Sequence, residues 1–128
     1  MSQHPEHERI DISVTTRFLA EQSEPEQQRF AFAYTIAITN AGSESVRLLS
    51  RYWLITDGNN DKQEVHGEGV VGEQPYIPGG NTFEYTSGAM LNTAVGTMEG
   101  SYQMVSESGT YFDAIIPRFS LSDPKALH

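Results

Sequence analysis

Residues 51–80 read RYWLITDGNNDKQEVHGEGVVGEQPYIPGG, and the way this stretch divides decides the fold. It opens on Tyr52-Trp53-Leu54-Ile55-Thr56, an apolar strand-like run that holds the chain's single tryptophan. Asp57-Gly58-Asn59-Asn60 follows as a turn, because Asp, Asn and Gly adopt turn conformations at little cost. Lys62 to His66 has the length and polarity of a short strand. Gly67-Glu68-Gly69-Val70-Val71-Gly72 is glycine-dense, and Pro75 and Pro78 each remove a backbone donor before Gly79-Gly80. The stretch therefore predicts strand, turn, strand and a long irregular crossing.

On either side of it the chain alternates. Ile10, Ile12, Val14 and Phe18 share one face of a period-two run, with Asp11, Ser13, Thr15 and Arg17 on the other. Residues 21–28 are polar and broken by Pro25, which marks a solvent loop. Phe30, Phe32, Tyr34, Ile36 and Ile38 alternate with Ala31, Ala33, Thr35, Ala37 and Thr39. A strand with one bulky and one small face fits the middle of a sheet. Asn40 to Ser43 turns the chain into Val46–Thr56, where Leu48-Leu49 breaks the phase and predicts a bulge. Thr82–Thr86 directs Phe83 and Tyr85 inward. Thr97–Val105 places Met98, Gly100, Tyr102 and Met104 on one face. Tyr111–Phe119 contains Pro117, which suits a strand end or a sheet edge.

About seven strands with turns between them, and no helix pattern, predict an all-β protein. The expected form is an antiparallel β-sandwich of the immunoglobulin-like or fibronectin-III-like kind. Tryptophan on the third strand and a tyrosine near the start of the sixth match the core marker and tyrosine corner of such sandwiches. Residues 1–8 are expected to be a flexible arm, 9–121 the domain and 122–128 a tail. A chain of 128 residues suffices for one core.

Composition narrows the function. The net charge is −9, from 17 acids against 8 bases, and the bases are scattered, which argues against nucleic acid. There is no cysteine, which fits a reducing cytoplasmic location and removes thiolate chemistry. The polar opening has no signal peptide, and no apolar run nears the ~20 residues of a membrane-spanning helix.

Gly67 to Gly72 spells G-x-G-x-x-G. A dinucleotide site would need a helix to begin there, and Pro75 and Pro78 forbid one. A nest of backbone N–H groups at Gly67, Gly69 and Gly72 remains open as an anion site, with Arg51 or Lys62 as counter-charge. His66, near Asp57, Asp61, Glu64 and Glu68, is the candidate metal ligand inside the fold; His4, His7 and His128 lie in the termini. No spacing typical of a metal site supports it. No nucleophile motif appears, and Glu107 with Asp113 flanks a turn without forming an acid–base pair. Tyr76 and Ile77, between two prolines, are the candidate partner surface.

Several blocks together resemble the bacterial ApaG family, over nearly the whole chain from about Arg9. They are Ser50–Gly58, Gly67–Pro75, Tyr85–Ala89, Gly96–Tyr102 and Phe112–Pro117. The resemblance implies a fibronectin-III-like sandwich with no enzymatic activity or cofactor, associated with cobalt resistance and magnesium efflux. Its gene commonly neighbours a diadenosine tetraphosphate hydrolase gene. Similar domains are fused in eukaryotic F-box proteins and a polymerase-interacting protein, which implies an interaction module. The glycine motif implies a nucleotide or pyrophosphate site on Gly67, Gly69 and Gly72. The expectation is thus a non-enzymatic cytosolic module that binds a protein or a small anionic ligand. Divalent-cation sensing is a further alternative, and strand edges leave room for a homodimer.

Overall fold

The computed structural model describes residues 9–127; the proposed arm at 1–8, with His4 and His7, and His128 lie outside them. Eight strands follow in order: β1 (Ile10–Phe18), β2 (Phe30–Asn40), β3 (Val46–Asp57), β4 (Lys62–Glu68), β5 (Tyr76–Ile77), β6 (Thr82–Leu91), β7 (Val95–Ser106) and β8 (Tyr111–Ser122). The eighth element beyond the expected seven is β5, two residues long, inside the stretch read as irregular. Single turns of 3-10 helix lie at Ala20–Gln22, Pro25–Gln27 and Pro124–Leu127.

The strands form two antiparallel layers. One is β1-β2-β6; the other is β4-β3-β7-β8, with β5 paired beside β3. This is a sandwich of the immunoglobulin-like and fibronectin-III-like kind. Strand β2 is central, as its two apolar faces predict: Phe32, Tyr34, Ile36 and Ile38 are buried, while Ala33, Thr35 and Ala37 are only half covered. From the facing layer come Val46, Leu48, Trp53, Met98, Tyr102, Met104, Ala114, Ile116 and Leu121. Trp53 meets Tyr34, Tyr102 and Phe119 edge-on or tilted at 5.5–6.5 Å between ring centres, the geometry that aromatic quadrupoles favour.

The predicted bulge is present, since the β3–β7 register slips between Leu48 and Ser50. A second slip, between Met98 and Gly100, re-phases β7 against β8 where Pro117 lies. Strand β8 is an outer strand, which explains how its chain tolerates proline.

The tyrosine-corner expectation needs correction. Tyr102 lies inside β7, and its hydroxyl meets the Tyr85 hydroxyl across the core instead of a nearby backbone group. Burial pushes both phenols up, Tyr85 to about 12. The bulkier pair replaces a corner with an inter-sheet link.

Candidate functional site

The outer face of the five-stranded layer carries side chains in rows, because antiparallel register places partners opposite one another. Tyr76 on β5 pairs with Arg47 on β3, Arg47 with Val105 on β7, and Val105 with Tyr111 on β8. Alternation buries Val46, Ile77, Met104 and Ser106 beside them, so this row faces out. The Arg47 guanidinium lies over the Tyr76 ring, 5.5 Å from its centre. Tyr76 is 53% exposed and Tyr111 75%.

A second row runs from His66 on β4 through Tyr52 and Ser101 to Ile115 on β8, which is 66% exposed. The His66 and Tyr52 rings are 4.9 Å apart. Tyr52 donates its hydroxyl to Glu64 at 2.6 Å, and that hydrogen bond to the carboxylate raises the phenol's pKa. Ile115 lies four positions along β8 from Tyr111, so the rows lie about 13 Å apart. Between them runs a polar strip of Glu68, Ser50, Gln103 and Asp113. Ser50 donates to Gln103 at 2.8 Å, and Gln103 donates on to Ser101 at 2.9 Å. Beyond the second row, Glu99 and Arg118 form an ion pair at 3.3 Å. The result is a firm surface of two aromatic and aliphatic bands around a hydrogen-bonded, acid-flanked centre.

Of the residues singled out from sequence, Tyr76 and His66 belong to this face. Ile77 does not: it is 2% exposed, pairs with Val46 and faces the core, so the two-residue patch is reduced to Tyr76. Alternation within β5 forces the split, since neighbours in a strand point to opposite sides.

Gly67 is the second correction, being the penultimate residue of β4 rather than part of an open loop. It stands opposite Arg51, and an added Cβ would fall 2.7–2.8 Å from that guanidinium. Arg51 spends its Nη1 on the carbonyls of Glu68 at 3.1 Å and Gly69 at 2.9 Å. Gly69 donates its N–H to Leu49, and Val70 donates to Glu73. Gly69 (φ 62°), Val71 (φ 42°) and Gly72 (φ 82°) are left-handed, and Val70 is buried as the plug of the turn. Arg51 and the Gly69 and Val70 amides are thus engaged within the chain. Lys62 is far from them. It pairs with Thr56, five positions along β3 from Arg51, or about 16 Å.

His66 shares its strand face with Glu64 and Glu68, all exposed. Among the described residues no group of three or more His, Cys, Asp or Glu side chains could hold a metal ion. Asp57 caps its own turn, accepting from the N–H groups of Asn59 and Asp61. Glu107 and Asp113 are both exposed, in the turn after β7 and on the outer face of β8.

The sequence reading missed Arg47, Val105, Tyr111 and Ile115. The available signal was in β8, where Tyr111 and Ile115 occupy one phase and Phe112, Ala114 and Ile116 the other. Apolar residues on both faces of an outer strand point to a second buried contact.

An ApaG domain model matches residues 20–106. The chain is 60% identical over 119 residues to Protein ApaG of Thiobacillus denitrificans, covering 93% of this chain and 94% of that one. The chain belongs to the ApaG family. It is 56% identical to Protein ApaG of Dechloromonas aromatica over 120 residues, 94% of each chain. A crystal structure described as the putative ApaA protein from Bordetella pertussis superposes with a TM-score of 0.88 at 51% identity, covering 91% of this chain and 94% of that one. The X-ray structure of a further structural-genomics target gives 0.90 at 47% identity, covering 95% and 92%. Membership carries the ApaG sandwich across the chain, and the site geometry has to say what the surface does.

Proposed function

We propose that this ApaG-family chain is a non-enzymatic, cytosolic binding module. It recognises a protein partner through the outer face of β4-β3-β7-β8, with Tyr76 of β5 at its margin. The observation that carries this reading is the Tyr76–Arg47–Val105–Tyr111 row. It presents exposed aromatic and guanidinium groups on rigid strands, the residue types that anchor interfaces. Tyr and Arg lose little conformational freedom there, since the register and the ring–guanidinium contact already order them. Glu68 and Asp113, at the two ends of the polar strip between the bands, and Glu64 beside Tyr52 favour a partner that sets basic residues between two apolar ridges. The cobalt and magnesium association would then act through the protein bound, not through ions held by His66.

The test is capture from native cytosol with the wild-type chain and with a Tyr111→Ser/Ile115→Ser variant. Both side chains are exposed, so the fold should survive the change. Proteins retained by the wild type and lost by the variant are the expected result. An unchanged set would overturn the assignment of this face.

A further inference from the structure

We propose that the free edge of β6 is a homodimer interface, with Thr86 on the two-fold axis and the two β6 strands joined antiparallel. Asn40 donates its N–H to the carbonyl of Asn81, one position beyond Thr39–Thr82, so Asn40 turns its backbone toward the β6 side while the Asn81 N–H turns back to Pro78. In an antiparallel ladder hydrogen-bonded pairs alternate with non-bonded ones. Thr39–Thr82, Ala37–Glu84 and Thr35–Thr86 are therefore non-bonded pairs, consistent with the 2.7 and 2.8 Å contacts between the facing threonine hydroxyls. Thr82, Glu84, Thr86, Gly88 and Met90 consequently turn their N–H and C=O groups away from β2. Among the described residues nothing bonds those groups, and all five residues are exposed.

Exposed edges normally carry devices against pairing: charge, proline, bulges or short length. Strand β4 is short and bears Lys62, Glu64 and Glu68. Strand β8 has Pro117 and Arg118, which form a bulge opposite Glu99. Strand β1 carries Asp11 and Arg17 and packs beside β8. Strand β6 has no proline and no bulge. It is ten residues long, runs in unbroken register and bears one charge, Glu84.

Its sequence also fits itself. With Thr86 on the axis, Thr82 meets Met90, Phe83 meets Ala89, Glu84 meets Gly88 and Tyr85 meets Ser87. Each larger side chain faces a smaller one, and the two carboxylates stay apart. This register pairs all five outward-facing residues of each strand. An axis at Tyr85 or Ser87 leaves Met90 or Thr82 unpaired, and an axis at Glu84 sets like charges face to face. The product is a continuous six-stranded sheet across two copies, which places both outer faces of the five-stranded layers away from the junction. Two bodies of net charge −9 repel, so association should tighten as salt rises.

The chain has no cysteine, which permits a direct test of register. Sedimentation equilibrium should show a concentration-dependent dimer whose dissociation constant falls with salt. Thr86→Cys should cross-link to itself under mild oxidation. Glu84→Cys alone should not, whereas Glu84→Cys mixed with Gly88→Cys should. Thr86→Lys sets two ammonium groups on the axis and should weaken the dimer at least tenfold, with an unchanged near-UV spectrum. A monomer at all concentrations would overturn the proposal. So would a dimer that is indifferent to Thr86→Lys and forms no Thr86→Cys cross-link. Sensitivity to Thr86→Lys confined to capture of another protein would overturn it too, assigning the edge to a foreign strand.

Discussion

Gly67 is glycine because Arg51 occupies the space a side chain would need, and Arg51 is held there by the carbonyls of Glu68 and Gly69. The two residues should behave as a unit. Gly67→Ala is expected to cost about 1–2 kcal/mol in urea unfolding, and most of that cost should vanish in an Arg51→Ala background. Additive losses would show that the contact is incidental. Gly69 is constrained differently: its φ is 62°, and a Cβ would fall 2.0 Å from the Glu73 carbonyl oxygen, so no rearrangement of a flexible side chain can relieve it. At the same scale, Tyr85 and Tyr102 make stability depend on alkaline pH. Burial raises the Tyr85 phenol to about 12, so the folded chain keeps a proton that the unfolded chain releases near 10. The associated stability is complete below pH 10 and is lost as pH rises from about 10 to about 12. It amounts to roughly 2–3 kcal/mol for a shift of that size. The urea midpoint should fall across that window, and less steeply in Tyr85→Phe.

Strand β5 shows how a two-residue element is held. Its Ile77 carbonyl accepts from the Asn40 amide at 3.0 Å, and the same amide donates to Glu44 at 2.7 Å while its oxygen accepts from the Gly42 N–H at 3.0 Å. Asn40 is fully buried, ending β2 and fastening the crossing segment to it. Asn40→Ala should cost about 2–4 kcal/mol by stranding buried carbonyls, with hydrogen exchange rising first at residues 75–81. Exchange rising evenly over the whole chain would contradict this. From sequence Asn40 reads only as a turn residue, because its partners are up to 37 positions away. The longer strands were legible for the opposite reason: β1, β2 and β7 alternate over nine or more residues, enough for period two to show. The Leu48-Leu49 doubling revealed one bulge. The second bulge sets Pro117 and Arg118 of β8 opposite Glu99, and from sequence Pro117 read only as a strand end or an edge.

At the scale of the molecule, the two layers divide the surface between tasks. The layer β1-β2-β6 shows Thr, Ser and Ala outward with Asp11, Arg17, Glu84 and Met90 among them, and the five-stranded layer shows Tyr52, His66, Tyr76, Tyr111 and Ile115. The interaction face could not be read off the chain as a unit. Its rows join residues from four strands, and only register brings Tyr76 beside Arg47 and Val105 beside Tyr111. Because these side chains lie outside the core, Tyr111→Ser with Ile115→Ser should leave the unfolding free energy in urea within about 0.5 kcal/mol of wild type. A larger loss would mean that the outer bands support the fold. Hydroxyl-radical labelling of side chains, on the isolated chain and on its complex captured from cytosol, tests the binding face most directly. Strong labelling of Tyr76, Tyr111 and Ile115 in isolation and their joint protection in the complex is the predicted result. Protection centred on Val71 and the glycine turn, with Tyr76, Tyr111 and Ile115 labelled as before, would contradict it.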